Sequence, residues 1–210
     1  MVRQGQIVGE GYHVKAGEGH AEAIALAQAG ARSKGSTVYV TLEPCSFHGR
    51  TPSCAEALIK AGVSRVVAAR EDPDSRNAGK GFAKLRDAGI VVDLLPSESA
   101  DQLVRGHLKR YCEQKPFIRL KLAMTLDGKT ALRNGNSKWI TSEEARTDVQ
   151  KLRAESSAIV TGVQTVIDDD PRLQVREILP EIKHRAEALS VERPVYILDS
   201  NLRAPESAQL

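Results

Sequence analysis

The chain has 210 residues, of which 41% are hydrophobic and 27% are charged, and its formal net charge is +3. These proportions are typical of folded globular proteins and exclude a collagen-like or largely disordered chain. No apolar run approaches the roughly 18 residues that a membrane span requires, and the N-terminus lacks the pattern of a secretory signal. Lys and Arg are scattered rather than clustered, which argues against nucleic acid as a partner. We therefore expect a cytoplasmic protein without membrane or nucleic-acid partners.

Short β-branched runs alternate with longer helical patterns along the whole sequence, which predicts an α/β fold with a largely parallel sheet. The strand candidates are Ser36–Leu42, Arg65–Ala69, Ile90–Leu95, Phe117–Leu122, Ala158–Thr161 and Pro194–Leu198. The helix candidates are His20–Lys34, Ser53–Ala61, Gly81–Ala88, Glu98–Glu113 and Ser142–Glu155. Glycine follows several of these helices, as at Gly35, Gly62 and Gly89, where a left-handed cap is expected.

A polar segment that ends in proline, Glu113–Pro116, precedes a new apolar run, and we place a domain boundary there. The sequence thus predicts two α/β units, residues 1–115 and 116–210. The start, Met1 to Val8, reads as the turn and second strand of a hairpin whose first strand is absent. After Asp199 only eleven residues remain, too few to complete a second sheet. We therefore expect a fragment, whose exposed strand edges favour a homo-oligomer.

A candidate metal motif lies in the first half of the chain. His20 opens a helical pattern, Cys45 follows the strand Ser36–Leu42, and Cys54 comes after eight further residues. One imidazole and two thiolates provide three of the four ligands of tetrahedral zinc and leave one position open for water, as in catalytic rather than structural zinc sites. Cys112, the third cysteine, lies in an amphipathic helical pattern without other ligand types nearby, so we interpret it as a packing residue.

Glu22 follows His20 by two positions and adds a proton carrier to this motif. Residues two apart point to different faces of a helix, so both side chains reach one metal-bound water only where the helix begins. Zinc lowers the pKa of its water to about 7, and a carboxylate that is not a ligand can then move the proton to a departing amine. The sequence therefore predicts zinc held by His20, Cys45 and Cys54, with Glu22 as the catalytic residue.

A His-x-Glu motif followed by Pro-Cys is typical of zinc deaminases that act on cytosine or adenine. Here the cysteines are farther apart, and the stretch Thr41–Cys54 resembles the pyrimidine deaminase of riboflavin biosynthesis at nearly every position. The flanking runs Gly9–His13, Asp72-Pro73 and Gly79–Gly81 agree with this resemblance. It implies a cytidine-deaminase-like three-layer domain, without its N-terminal helix and first strand, in which His13 and Arg50 contact the substrate.

Three runs in the second half give only weak indications of a ligand site by themselves. They are Leu120–Ala131, Ser137–Ser142 and Thr161–Pro171. In the riboflavin family the deaminase is followed by a dihydrofolate-reductase-like α/β domain, and these runs resemble its nucleotide and substrate segments in the same order. The resemblance implies that the first part of such a domain is present, with an NADPH site lined by Ala123, Trp139, Thr165, Asp169 and Ser200. It implies substrate contacts from Ser137, Leu173 and Arg176. For Trp139 and Leu173, packing in the core is an equally good interpretation.

The resemblance as a whole implies a bifunctional enzyme with zinc and NADPH as cofactors. It would deaminate 2,5-diamino-6-ribosylamino-4(3H)-pyrimidinone 5′-phosphate and then reduce the ribosyl side chain of the product. Three positions depart from the family pattern: Phe47 replaces a histidine, and Asp74-Ser75 replaces Asn-Pro. Two alternatives stay open, namely a zinc deaminase with another nucleobase substrate and a truncated, non-catalytic zinc-binding fragment.

Overall fold

The computed structural model describes residues 1–176 and 185–210. The chain divides into two compact units, Met1–Arg119 and Leu120–Leu210. Both units combine helices with parallel strands, so the predicted α/β class is confirmed. Within the described ranges, no helix is both long and apolar enough to cross a membrane.

The first unit is built on a five-stranded sheet with the order β2-β1-β3-β4-β5. Its strands are β1 (Val2–Arg3), β2 (Gln6–Ile7), β3 (Thr37–Val40), β4 (Arg65–Ala68) and β5 (Val91–Leu94). Strand β4 pairs in parallel with both β3 and β5, and Val66 lies beside Val38 on one side and Val92 on the other. Because parallel strands end at the same edge of a sheet, the loops after β3 and β4 are neighbours, which is the usual place for a site in such folds.

Helices α1 to α3 precede β3, β4 and β5 in turn and complete the core of the first unit. They are α1 (Ala21–Ala29), which continues into a 3₁₀ turn at Gly30–Ser33, α2 (Cys54–Ala61) and α3 (Lys80–Asp87). Leu58, Val66 and Leu85 have no exposed surface and belong to one apolar cluster. Full burial of each such side chain contributes roughly 1.5–3 kcal/mol. The predicted cap at Gly62 is left-handed with a φ of 67°, and its amide donates to Ile59 at the end of α2.

The long helix predicted for Glu98–Glu113 is wrong in one respect, because the structure contains two helices there. They are α4 (Glu98–Leu103) and α5 (Arg105–Glu113). Val104 lies between them with a ψ of 14°, far from the helical value near −42°. Its β-branched side chain lowers helix propensity at this point. An amphipathic pattern alone does not reveal such a break, since the apolar spacing continues through it.

The strand predicted for Phe117–Leu122 is absent. Ile118 is 78% exposed, Leu120 is 80% exposed and Leu122 is 63% exposed. A strand is defined by hydrogen bonds to a neighbour, and no described strand pairs with this segment. The apolar residues therefore show a preference for extended structure that has no partner in the described part of the chain.

The N-terminal hairpin also differs from the prediction, because both of its strands are present. Strand β1 is the first strand, and it pairs antiparallel with β2 and with β3. Gln4 and Gly5 form the turn with φ values of 52° and 76°, as the tight two-residue turns of hairpins require. Strands of two residues are too short to show the alternation on which sequence reasoning depends.

The second unit contains a parallel pair of strands and three described helices. Its elements are α6 (Glu143–Ala154), β6 (Ile159–Gly162), α7 (Val163–Asp169), α8 (Arg185–Ser190) and β7 (Val195–Leu198). Ser142 caps α6 by accepting a hydrogen bond from the amide of Ala145. Val163 and Val166 of α7 are buried together with Leu173 and Val175. Helix α7, which was not predicted, spans only seven residues, so its apolar period is hard to recognise.

A buried arginine closes one end of α6. Arg193 is 6% exposed, and its guanidinium donates to the carbonyl groups of Ala154, Ser156 and Val191 at 2.8–3.0 Å. Burial lowers the pKa of Arg193. The last carbonyl groups of a helix lack hydrogen-bond donors within the helix. Arg193 supplies a donor to Ala154, the last residue of α6.

Gly81 provides a test of the packing of α3. A Cβ added at Gly81 would lie 2.0 Å from the carbonyl oxygen of Pro44, in the loop after β3. We expect Gly81→Ala to lower the free energy of unfolding by about 1–3 kcal/mol, because the helix or the loop must shift. Urea unfolding followed by circular dichroism measures this change.

Gly106→Ala in α5 is the matched control, because an added Cβ there meets no atom within 4 Å. It should keep the free energy of unfolding within about 0.5 kcal/mol of the original value or raise it. Equal losses in the two variants would contradict the close packing of α3 on Pro44.

Candidate metal centre

Three potential metal ligands converge in the first unit. Nδ1 of His20 lies 3.6 Å from Sγ of Cys45 and 3.3 Å from Sγ of Cys54. All three ligand atoms lie within 4.8 Å of one another. Cys54 is buried, and His20 and Cys45 are partly buried. The structure thus brings together the three residues that the sequence predicts as ligands.

Each ligand lies where a helix begins or in a loop fixed to a helix. His20 is the N-cap residue of α1, and its ring makes no capping hydrogen bond. Cys54 is the first residue of α2 and donates its amide to Sγ of Cys45 at 3.2 Å. Ser53 caps α2 and donates its hydroxyl to the carbonyl of Cys45 at 2.9 Å. The start of α2 therefore holds the two sulfur atoms close together.

The donor set and its spacing fit zinc. Bonds of about 2.3 Å to sulfur and 2.0–2.1 Å to nitrogen, at tetrahedral angles, place the two donors about 3.6 Å apart. The two distances from Nδ1 of His20 to the sulfur atoms, 3.6 and 3.3 Å, are close to this value. Thiolates and imidazole favour zinc over calcium and magnesium, which prefer oxygen ligands. Three protein ligands leave a fourth tetrahedral position.

The ring of His20 is oriented by two neighbours. Its Nε2 lies 3.2 Å from the hydroxyl oxygen of Thr51, and the ring of His13 contacts it edge to face with 5.3 Å between the centroids. When the hydroxyl accepts the Nε2 proton, Nδ1 carries none and faces the sulfur atoms as a ligand. The sequence analysis missed Thr51. Its position between Cys45 and Cys54, in residues 46–53 (the cysteine loop), is the one sign of such a role in the sequence. His13 was predicted to contact the substrate, and in the structure its ring lies beside that of His20.

Glu22 lies in the first turn of α1, and its carboxyl interacts with the side chains of Cys45, His20 and Cys54. Burial raises the pKa of its carboxyl, and the negative charge of Cys45 adds to the rise. The backbone amide of Glu22, the charge of His20 and the hydrogen bond with Cys54 oppose it. A carboxyl whose pKa is raised toward neutrality both takes and returns a proton readily, as a general acid and base must.

The two thiols differ in acidity. A hydrogen bond from Cys54 lowers the pKa of Cys45 to about 5, and the amide of Cys54 and the nearby His20 add to this effect. The pKa of Cys54 is raised, because its proton is held in the hydrogen bond to Cys45 and because it is buried near Glu22. Cys45 is therefore a thiolate at neutral pH, which is the form that binds a metal.

A buried carboxylate beside the cysteine loop was missed by sequence reasoning. Glu43 is 4% exposed and accepts hydrogen bonds from the amides of Asp72, Gly79 and Phe82 at 2.9–3.1 Å. Gly79 and Phe82 belong to the beginning of α3, where amides lack partners within the helix and favour a negative charge. Glu43 directly precedes Pro44 after an apolar strand, but the sequence does not show which amides it faces.

Arg76 contacts two of the residues that depart from the family pattern, Phe47 and Asp74. Its guanidinium lies 5.5 Å from the centroid of the Phe47 ring and forms an ion pair with Asp74 at 2.5 Å. The hydrogen bonds from Arg76 lower the pKa of Asp74 to about 2. The two departures are therefore coupled, since Asp74 holds the cation that covers Phe47. Arg50, on the same loop as Phe47, is exposed.

A cavity of about 560 Å³ in the second unit is lined by three of the predicted reductase residues, Ser137, Thr165 and Asp169. Asn136 and Gln164 line it as well. Hydroxyl, amide and carboxylate groups thus surround a space large enough for an organic ligand with many polar atoms.

The other five predicted residues of the second unit do not line this cavity. Leu173 is 8% exposed, as expected for a residue that packs in the core. Trp139 is 72% exposed, and the guanidinium of Arg146 lies 4.3 Å from the centroid of its ring, so core packing is wrong for Trp139. The remaining three are Arg176 and Ser200, which are exposed, and Ala123, which is partly buried.

Comparisons with known proteins agree with the division into two kinds of domain. The family model "Cytidine and deoxycytidylate deaminase zinc-binding region" matches residues 1–70, and the model "RibD C-terminal domain" matches residues 116–210. The riboflavin biosynthesis protein RibD of Haemophilus influenzae is 52% identical across 100% of this chain. The RibD protein of Escherichia coli is 53% identical across 98% of it. The chain belongs to the RibD family.

Solved structures of the RibD family share the fold. Acinetobacter baumannii RibD is 49% identical with a TM-score of 0.89, and a Thermotoga maritima relative is 35% identical with a TM-score of 0.85. Each covers 99% of this chain. The predicted fold class, a cytidine-deaminase-like domain followed by part of a dihydrofolate-reductase-like domain, is confirmed. The chain spans just over half of these RibD proteins, namely 58% and 54% of the two curated relatives and 58% of both solved chains.

The acidity of Cys45 predicts a pH profile for its alkylation. Cys112 is exposed, so its interpretation as a packing residue is wrong, and Cys112→Ser removes this third thiol. In the metal-free Cys112→Ser chain we expect iodoacetamide to modify Cys45 at a rate that falls only as the pH drops toward about 5. The reason is that a lowered pKa keeps the thiolate populated below neutral pH. Mass spectrometry of the labelled peptides measures the rate at each pH.

Zinc added before the reagent should protect Cys45, and the buried Cys54 should react slowly throughout. A rate at Cys45 that rises only at alkaline pH would contradict the hydrogen-bonded thiolate.

Proposed function

We propose that the first unit is a zinc-dependent deaminase domain that removes an exocyclic amine from 2,5-diamino-6-ribosylamino-4(3H)-pyrimidinone 5′-phosphate. The convergence of His20, Cys45 and Cys54 carries this proposal, together with the carboxyl of Glu22 that interacts with all three. The substrate is supported by the name of the Thermotoga maritima relative, a diaminohydroxyphosphoribosylaminopyrimidine deaminase and 5-amino-6-(5-phosphoribosylamino)uracil reductase.

The proposed centre needs residues that bind the metal and a residue that transfers protons. His20, Cys45 and Cys54 hold the zinc ion. A bound zinc ion lowers the pKa of its water to about 7 and so supplies a nucleophile at neutral pH. Glu22 would take a proton from the attacking water and return it to the amine. The amine would leave as ammonia, while the ring carbon gains the oxygen of the water.

Other side chains of the first unit orient these groups and the substrate. Thr51 fixes the ring of His20 through its Nε2. His13 borders the same ring and is close enough to the centre to contact a bound pyrimidine. Arg50 is an exposed cation on the cysteine loop, and a guanidinium binds a phosphate group through paired hydrogen bonds. We therefore assign His13 and Arg50 to the small phosphorylated pyrimidine.

We further propose that the second unit binds NADPH for reduction of the ribosyl side chain. The polar cavity gathers two residues predicted for the cofactor, Thr165 and Asp169, with one predicted for the substrate, Ser137. Together with the match to the RibD C-terminal domain, it supports this assignment. Bound NADPH supplies a hydride, and the protein positions the two reactants. Further contacts are assigned to Ala123, Trp139 and Ser200 for the cofactor and to Ser137, Leu173 and Arg176 for the substrate.

Two alternatives make different claims. A deaminase of another nucleobase would release ammonia from cytosine or adenine compounds instead, although the eight-residue cysteine loop and scattered basic residues favour the pyrimidine phosphate. A non-catalytic fragment would bind zinc without releasing ammonia from any of these substrates. The cytoplasmic location and a homo-oligomeric state stay predictions.

Glu22→Gln tests the proton carrier of the deaminase. We expect this variant to keep its zinc and to release ammonia from the diaminopyrimidine phosphate at least about 10²-fold more slowly, because an amide cannot take up the proton. A coupled ammonia assay measures the rate, and atomic absorption measures the metal.

Glu18→Gln is the matched control, since Glu18 forms a surface ion pair with Lys15 just before the motif. It should keep the original rate. An unchanged rate in Glu22→Gln would refute the role of Glu22, and zinc binding without ammonia release in the original chain would favour the non-catalytic alternative.

Thr165→Ala tests the nucleotide cavity. We expect NADPH fluorescence to change on binding, and the loss of one hydrogen bond at Thr165 to weaken binding by roughly three- to tenfold. Thr147→Ala in α6, which does not line the cavity, should leave the affinity for NADPH unchanged.

Equal affinities in the two variants would show that Thr165 does not contact NADPH. No change in fluorescence up to roughly 1 mM NADPH would contradict binding by this chain.

A further inference from the structure

The segment that leads into α3 contacts the backbone on both sides of Cys45. Ser46 donates its amide to Oδ1 of Asn77 at 2.8 Å, and Nδ2 of Asn77 donates to the carbonyl oxygen of Pro44 at 3.4 Å. Pro44 and Ser46 are the two neighbours of Cys45 in the sequence. One side-chain amide thus joins the peptide groups that flank a predicted metal ligand.

The orientation of the Asn77 amide is set by its partners. The amide of Ser46 requires an acceptor, and the carbonyl of Pro44 requires a donor. Nδ2 of Asn77 also donates to Oδ2 of Asp72 at 3.3 Å. Asn77 is 1% exposed, so these contacts are shielded from bulk water. The amide therefore fits its place in one orientation only.

The backbone of Asn77 is fixed as firmly as its side chain. Its amide donates to the carbonyl of Asp74 at 2.8 Å, and its carbonyl accepts from Lys80 at 2.7 Å. Glu43 binds amides of the same segment at Gly79 and Phe82. Asn77 is thus a rigid support, and the cysteine loop is the part that it holds.

We infer that Asn77 is a positioning residue of the metal centre, which presets Sγ of Cys45 for zinc by fixing the peptide groups before and after it. The inference rests on the proposed zinc site. A loop already held in its metal-bound shape loses less conformational freedom when the metal binds, so the metal binds more tightly. Residues that orient ligands without touching the metal typically change metal affinity by about 10–100-fold.

The test is zinc competition against a chromophoric chelator, with the full chain and two variants. Asn77→Ala removes the amide, and Asn77→Leu replaces it with an apolar group of the same branching. We expect both to bind zinc about 10–100-fold more weakly than the original chain. At saturating Co²⁺, both should also show altered visible absorption bands, because Cys45 no longer occupies its tetrahedral position.

Ser36→Ala is the matched control for a buried polar residue of the same unit. Ser36 has no exposed surface and donates its hydroxyl to the carbonyl of Ser33, at the end of β3 that lies away from the cysteine loop. This variant should lose stability in urea while its zinc affinity and its cobalt spectrum stay unchanged.

The outcomes separate this inference from the proposed function. If the original chain binds no zinc, both fall together. If it binds zinc and both Asn77 variants bind it equally well, the proposed centre stands and the role of Asn77 is overturned. Loss of the folded circular dichroism spectrum in both variants would also overturn it, because Asn77 would then support the whole unit rather than the loop.

Discussion

Two sulfur atoms held next to each other and to a carboxyl group are the constraint on which the first unit depends. Charges of the same sign repel, so two thiolates and a glutamate cannot all be ionised at this distance without a compensating cation. The hydrogen bond from Cys54 lowers the pKa of Cys45 and raises that of Cys54, and burial raises the pKa of Glu22. A divalent cation resolves the same conflict more completely, since it stabilises both thiolates at once.

The fold brings these groups together through the ends of its elements. The starts of α1 and α2 provide His20 and Cys54, and the loop after β3 provides Cys45. The site is thus assembled from rigid helix ends rather than from one continuous segment. The helix that follows, α3, packs on the same loop at Gly81. Stability and metal binding are coupled for this reason, because the contacts that close the core also shape the site.

The convergence of His20, Cys45 and Cys54 was predictable because the chemistry of these side chains is distinctive and their motifs are local. A histidine, two cysteines and a glutamate at the starts of helical patterns are recognisable without knowledge of the fold. Thr51, Glu43 and Asn77 were missed because their roles depend on partners that folding brings close. Asn77 accepts a hydrogen bond from the amide of Ser46, which is 31 residues away. Nothing in the local pattern of either residue indicates the pairing.

The secondary structure was predictable to a similar degree. Strands β3 to β5 and helices α1 to α3 follow their apolar periods, since each buries one side against a shared core. The segment Phe117–Leu122 has the composition of a strand, but a strand also requires a neighbour, and composition does not supply one. Val104 interrupts a helix whose apolar spacing continues. Both errors arise where long-range contacts, rather than local preference, decide the backbone.

X-ray absorption at the zinc edge of the reconstituted chain tests the central claim most directly. The account predicts one zinc per chain bound by two sulfur atoms at about 2.3 Å and two lighter atoms at about 2.0–2.1 Å, one from His20 and one from solvent. A shell of three sulfur atoms or of six oxygen atoms would contradict a catalytic centre made by His20, Cys45 and Cys54.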